Sequence, residues 1–175
     1  MDYPWYQCVA DDSIEQGDIF ESCPVFIPPD NLTLDINAPS NATFRWEKRD
    51  VIVMSQTCDL VKGREKLSEI LLCSVWNRSE LTGHLATSKG MEDARRGNLP
   101  AYHVLAACSL QGQAREIRIA DFRQVYSLPV SFLRQLTTKY ENHIRLLPPY
   151  REHLSQAFAR FFMRVGLPVD IPQFK

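Results

Sequence analysis

Val51-Ile-Val-Met-Ser55 and Glu69-Ile-Leu-Leu-Cys-Ser-Val-Trp76 are the two stretches that decide the fold class. Both are unbroken apolar runs of strand length. Neither alternates with polar residues, so each predicts a strand covered on both faces. A charged connection containing Gly63 joins them, and a link of roughly ten residues makes them neighbours in one sheet. Upstream, Ile14 to Phe26 contains an apolar stretch opened by Gly17 and closed near Pro24, which predicts a first strand. The segment 28–50 carries Pro28-Pro29, Asn37, Pro39 and Asn41 and predicts a long surface loop, with room for a short strand at 43–46.

Downstream, Ser79 to Arg96 predicts one or two short helices, with Ser79 placed to cap and Gly83, Gly90 and Gly97 limiting their length. Ala101–Leu105 and Glu116–Ala120 predict two further strands around a turn at Gly112, the second alternating apolar with charged residues as a half-exposed strand does. Val130–Thr138 predicts a short helix. From 149 to 165, Tyr150, Leu154, Phe158, Phe161, Phe162 and Val165 recur at helical spacing between Pro149 and Gly166, an amphipathic helix followed by an extended tail over 166–175. The expectation is an α+β fold in one domain spanning 1–175: a small, strongly curved β-sheet of five or six strands, or a barrel, with the C-terminal amphipathic helix over its open end.

The 175 residues suffice to bury a core without disulfides or metals. Twenty basic residues against 21 acidic ones leave a net charge of −1, which excludes a global pull toward nucleic acid or anionic lipid, so any such contact needs a local patch. No stretch approaches the roughly 20 apolar residues of a membrane span, and the acidic N-terminal stretch reads as neither signal nor transit peptide. Five cysteines at wide spacings, without a CxxC pair, point to reduced thiols in a cytoplasm.

Three stretches are candidate sites. Ser55-Gln56-Thr57-Cys58-Asp59 follows a buried strand, so its polar side chains emerge on a rigid support. Its plain reading is a small buried cysteine and an aspartate that holds the turn; its functional readings are a binding surface or, given a nearby histidine, a thiolate nucleophile. Cys58, Cys73, Asp59 and His103 could in principle converge on a metal, yet no ligand spacing demands it and no metal or cofactor is expected. Arg95 and Arg96 precede Tyr102-His103, which together could form a cationic, aromatic rim suited to phosphate and base stacking, or simply a hydrogen-bonded strand edge. On the last helix, His153, Gln156, Arg160 and Arg164 form a polar stripe, which is either a solvated face or a surface for an acidic partner or nucleic acid.

The succession QGDIF (16–20), RDVIVMSQT (49–57), EILLCSV (69–75) and IRIADFRQVYSLP (117–129) resembles the toxins of the MazF/PemK family over about half of the chain. That resemblance implies an SH3-like or PemK-like small barrel and metal-independent RNA cleavage. The chain departs from the family where Arg49-Asp50 replaces an Arg-Pro step and where the Pro/Asn segment replaces a Gly-rich loop. Ser55-Gln-Thr-Cys-Asp-Leu60 and Tyr150-Arg-Glu-His-Leu-Ser155 are similar to stretches in uncharacterised bacterial proteins, which implies a bacterial setting.

The favoured expectation is a non-catalytic binding or adaptor module of a bacterial toxin or defence-type system. It would engage a protein partner, or RNA, through Ser55, Gln56, Cys58, Asp59, Arg95, Arg96, Tyr102, Arg160 and Arg164. The alternative is a toxin-like endoribonuclease in which Arg118, Asp121, Arg123 and His103 stabilise phosphate and move protons, which requires those four in one groove. A third option, a cysteine-dependent enzyme, requires a histidine within hydrogen-bond reach of Cys58.

Overall fold

The computed structural model describes residues 3–29 and 45–163. Over these residues it is α+β, with one seven-stranded antiparallel sheet and three α-helices. The strands are β1 (Tyr6–Val9), β2 (Asp18–Ile27), β3 (Arg45–Val53), β4 (Glu69–Asn77), β5 (Tyr102–Leu105), β6 (Arg118–Pro129) and β7 (His143–Leu146). The helices are α1 (Ser88–Arg95), α2 (Val130–Lys139) and α3 (Tyr150–Phe162), with short 3₁₀ turns at Thr57–Asp59, Arg78–Glu80 and Gly83–Ala86. Strands lie in the order β1-β7-β2-β3-β4-β6-β5.

The two apolar runs pair at the centre, Val51 opposite Ser74 and Val53 opposite Leu72. Val51, Ile52 and Val53 are all fully buried because their side chains alternate between two cores. One core contains Ile52, Met54, Cys73 and Phe122 and is covered by α3 through Leu154, Phe158 and Phe161. The other contains Val51, Val53, Ile70 and Leu72 and is covered by α2 through Val130, Leu133 and Leu136. A sheet with a helix on each face has no polar face to write into its central strands, hence the unbroken apolar runs.

Six inter-strand gaps would separate β1 from β5 by about 29 Å in a flat sheet. Instead the Tyr6 hydroxyl, on β1, donates a 2.7 Å hydrogen bond to the carbonyl of Ala106, just past β5. The sheet is therefore strongly curled, and its two edges approach without forming a ladder. This corrects the barrel alternative, since β1 and β5 are the unclosed edges of the sheet among the described residues.

The curl explains a second correction. Arg118 was expected on a half-exposed strand, yet it is fully buried, with Nη1 3.3 Å from Glu21 Oε1 and its guanidinium beside Tyr6. Burial pushes the Tyr6 hydroxyl up to about 12 despite that neighbouring cation. The strand itself is longer than expected and runs directly into α2. Its pairing with β4 is interrupted where Cys73 opposes Val125 but Ser74 opposes Asp121, a bulge that re-aims the residues between.

Three further differences concern extents. Residues 45–50 belong to β3 and not to the expected 28–50 loop, whose positions 30–44 lie outside the described residues. The last helix is described as Tyr150–Phe162, and the expected continuation through 165, the tail at 166–175 and Arg164 lie outside them as well. Thr87, not Ser79, caps α1, its side chain accepting from Gly90 N at 2.9 Å.

β1 and β7 have no counterpart in the sequence reading. Arg145 of β7 is nearly buried and clamps the start of β2: its guanidinium binds both carboxylate oxygens of buried Asp18, one at 2.9 Å, and Glu15 Oε1 at 2.7 Å. His143 Nε2 lies 3.2 Å from the same aspartate. Among the described residues, no helix is long and apolar enough to cross a membrane.

Candidate binding groove

The end of α1, the turn after it, the start of β5 and one face of α3 enclose a groove of about 390 Å³. Gly97, at φ +78°, supplies the left-handed residue that stops α1. Its N–H donates to Ala94 O at 3.0 Å and the N–H of Asn98 donates to Asp93 O at 2.9 Å, which turns the chain back onto β5. Arg95 and Arg96 are thereby brought to the same groove as Tyr102 and His103. Across the groove, α3 is fixed by buried Leu154 and by Phe158 packed edge-on against Phe122, 5.3 Å between ring centres. That leaves His153, Gln156 and Arg160, three and four residues apart, on the wall facing β5.

Two sets of residues singled out separately in the sequence thus meet: Arg95, Arg96, Tyr102 and His103 from one segment, and His153, Gln156 and Arg160 from another. Three arginines line the groove and no carboxylate does. Glu92 sits behind two of them, accepting from Arg95 Nε and Nη2 at 2.7 Å each and from Arg96 Nε at 2.6 Å. These bonds hold the Glu92 carboxyl down to about 2 and orient both guanidinium groups with donors to spare. Arg160 has no ion pair or side-chain hydrogen bond among the described residues. The arrangement is a local concentration of positive charge on a molecule of net charge −1.

His103 stands at the inner end. Its Nε2 is shielded from solvent and has no hydrogen-bond partner. Burial, and secondly the nearby His153, push its pKa down to about 4, so the imidazole is neutral at physiological pH. Past it lies a second cavity of about 340 Å³ that shares Ala94, Arg95, His103 and His153 with the groove and is otherwise lined by Trp5, Val104, Ala106, Ile117 and Tyr150. It opens at the seam where the two sheet edges approach. Trp5 and Tyr150 stack there, 3.7 Å between ring centres and 9° from parallel.

The other nominated residues lie elsewhere. Ser55 is buried, its Oγ accepting from Leu71 N at 2.9 Å, and Gln56 Nε2 donates to Ser155 Oγ on α3 at 3.2 Å. Cys58 is exposed, 3.7 Å from Asp59 Oδ1, and no histidine hydrogen-bonds to it among the described residues. Asp59 accepts from Lys66 Nζ at 3.0 Å and its backbone closes the turn. This is the geometry of a structural turn, with one correction to its plain reading: Cys58 lies on the outside of the turn and is not buried.

Arg118, Asp121, Arg123 and His103 do not gather. Of the four only His103 lines the groove. Arg118 is sealed inside the curl; Asp121 is buried and held by Arg123, Nε to Oδ1 at 2.9 Å and Nη2 to Oδ2 at 2.7 Å. The Arg123 guanidinium in turn lies over the Tyr102 ring, 4.6 Å from its centre. Among the described residues no group of three or more His, Cys, Asp or Glu is arranged to hold a metal ion.

Sequence reasoning missed the seam residues Trp5, Val104, Ile117 and Tyr150, since an isolated apolar residue beside a strand carries no signal that separates cavity wall from core. Comparison with known proteins finds no matching family model, no matching curated protein and no matching solved structure.

Proposed function

We propose that this chain is a non-catalytic binding module that holds an anionic ligand in the groove between α1, β5 and α3. The observation that carries this reading is the convergence of Arg95, Arg96 and Arg160 on one concave surface without a lining carboxylate. A concave site within the usual 300–1,000 Å³ range, with a few convergent charged groups on a rigid frame, is the common form of a ligand site. The ribonuclease alternative draws no comparable support, because its arginine and aspartate are committed to each other or to the interior. An SH3-like or PemK-like kinship and a toxin or defence setting belong to the same proposal and are supported by the sequence resemblance alone.

The test is titration of the full chain with inorganic pyrophosphate, followed by calorimetry, beside an Arg96→Ala/Arg160→Ala variant. Saturable, salt-sensitive binding that falls at least tenfold in the variant is the expected result. Absence of binding at low ionic strength, or equal binding by the variant, would refute the proposal.

A further inference from the structure

The groove and the seam cavity adjoin, because Ala94, Arg95, His103 and His153 form walls of both. A ligand that fills them carries negative charge at one end and an apolar body at the other. Three observations narrow its chemistry.

The positive charge is a single cluster and not a track. A nucleic-acid strand is held by cations spaced along its backbone, whereas Arg95, Arg96 and Arg160 line a single groove of about 390 Å³, a space for one phosphate-bearing group. The seam cavity is walled by an aromatic pair, Trp5 and Tyr150, and by Val104, Ala106 and Ile117, so what enters is apolar on its faces. At the junction, His103 Nε2 is withdrawn from water without a partner. An atom that water cannot touch is closed to a ligand as well, so His103 contributes to the cavity wall through the rest of its ring. A planar heterocycle suits walls built from indole, phenol and imidazole rings, its faces in apolar contact.

We infer that the ligand is a single nucleotide, with its phosphate on Arg95, Arg96 and Arg160 and its base in the seam cavity beside Trp5 and the His103 ring. This inference rests on the anion-binding reading of the groove and names the ligand class for it. Because Trp5 lies beside one sheet edge and Val104 in the other, the bound base bridges the seam and raises the melting temperature of the whole sheet.

The experiment is calorimetric titration of the full chain with AMP, GMP, CMP and UMP, with the parent nucleosides, with inorganic phosphate and with a short single-stranded RNA. The expected result is that at least one monophosphate binds tenfold or more tighter than both phosphate and its own nucleoside. Arg160→Ala should weaken that nucleotide at least fivefold, and His103→Phe should weaken it while leaving phosphate binding unchanged, with melting curves showing that both variants fold. Phosphate binding as tightly as every nucleotide would overturn the nucleotide inference and leave the anion-binding reading standing. No binding by phosphate or any nucleotide would overturn both. RNA binding without mononucleotide binding, or nucleotide binding indifferent to both variants, would overturn the assignment of ligand and site.

Discussion

Lowering the pH from 7.5 to 5 should destabilise this protein, and His103→Phe should remove a defined share of that loss. In the folded chain the His103 pKa is about 4, against an ordinary 6.5 once the chain unfolds and the ring meets water. Between those values the unfolded chain binds a proton that the folded chain refuses, so acid favours unfolding. The contribution is fully present above pH 6.5 and is lost as pH falls toward 4. The whole shift corresponds to about 3 kcal/mol, of which about 2 kcal/mol is lost between pH 7.5 and 5. The carboxylates that folding makes more acidic, such as Glu21 held by Arg115, lose their contribution below this window, as pH falls through their depressed values. His84 and His143 are common to both proteins and cancel in the comparison, whereas His153, which faces His103, is replaced by Gln in both chains so that it adds no slope of its own. Urea unfolding followed by circular dichroism at pH 7.5, 6 and 5 measures the two slopes. Identical slopes, or a His103 resonance in the folded protein that titrates near 6.5, would refute the burial argument.

Removing Arg145 as Arg145→Met leaves buried Asp18 without its main partner, an expected loss of about 3–5 kcal/mol in urea unfolding, and Asp18→Asn in the same chain should restore part of it. Leu154→Ala empties a fully buried position between α3 and the sheet; about 2–5 kcal/mol of stability should go with it, read as a lower urea midpoint with an unchanged slope. Cys58→Ser alters an exposed side chain in a turn held by backbone bonds, so stability should stay within about 0.5 kcal/mol and pyrophosphate binding should not change. Glu92→Gln releases Arg95 and Arg96 from their carboxylate and should tighten pyrophosphate binding, provided circular dichroism shows α1 intact.

The central pair β3–β4 is legible in the sequence because coverage of both faces by α2 and α3 leaves an uninterrupted apolar record at each strand. α3 is legible because its apolar stripe has one face to bury. β1 and β7 are four residues each, too short to show a period, and β7 carries His143 and Arg145, which are buried only because Asp18 and Glu15 come from a distant segment to meet them. Arg118 misleads for the same reason: a charged residue in an alternating strand reads as solvent-facing, and only the curl that brings Tyr6 over it reverses that reading. In the site, the basic and aromatic residues are visible as types at Arg95, Arg96, Tyr102 and Arg160. Their meeting is a product of tertiary structure, set by the Gly97 turn and the packing of α3.

Two bare strand edges ordinarily invite a neighbouring molecule to add its own strand, the first step toward fibrils. Here the Tyr6–Ala106 hydrogen bond turns the edges toward each other, so each denies the other to outsiders, although neither is paired. The hydrogen bond at the seam is therefore one of the contacts that keep these two edges from a second molecule. Loosening it by Tyr6→Phe would release both edges at once, and assembly would accelerate with protein concentration before the sheet itself had melted.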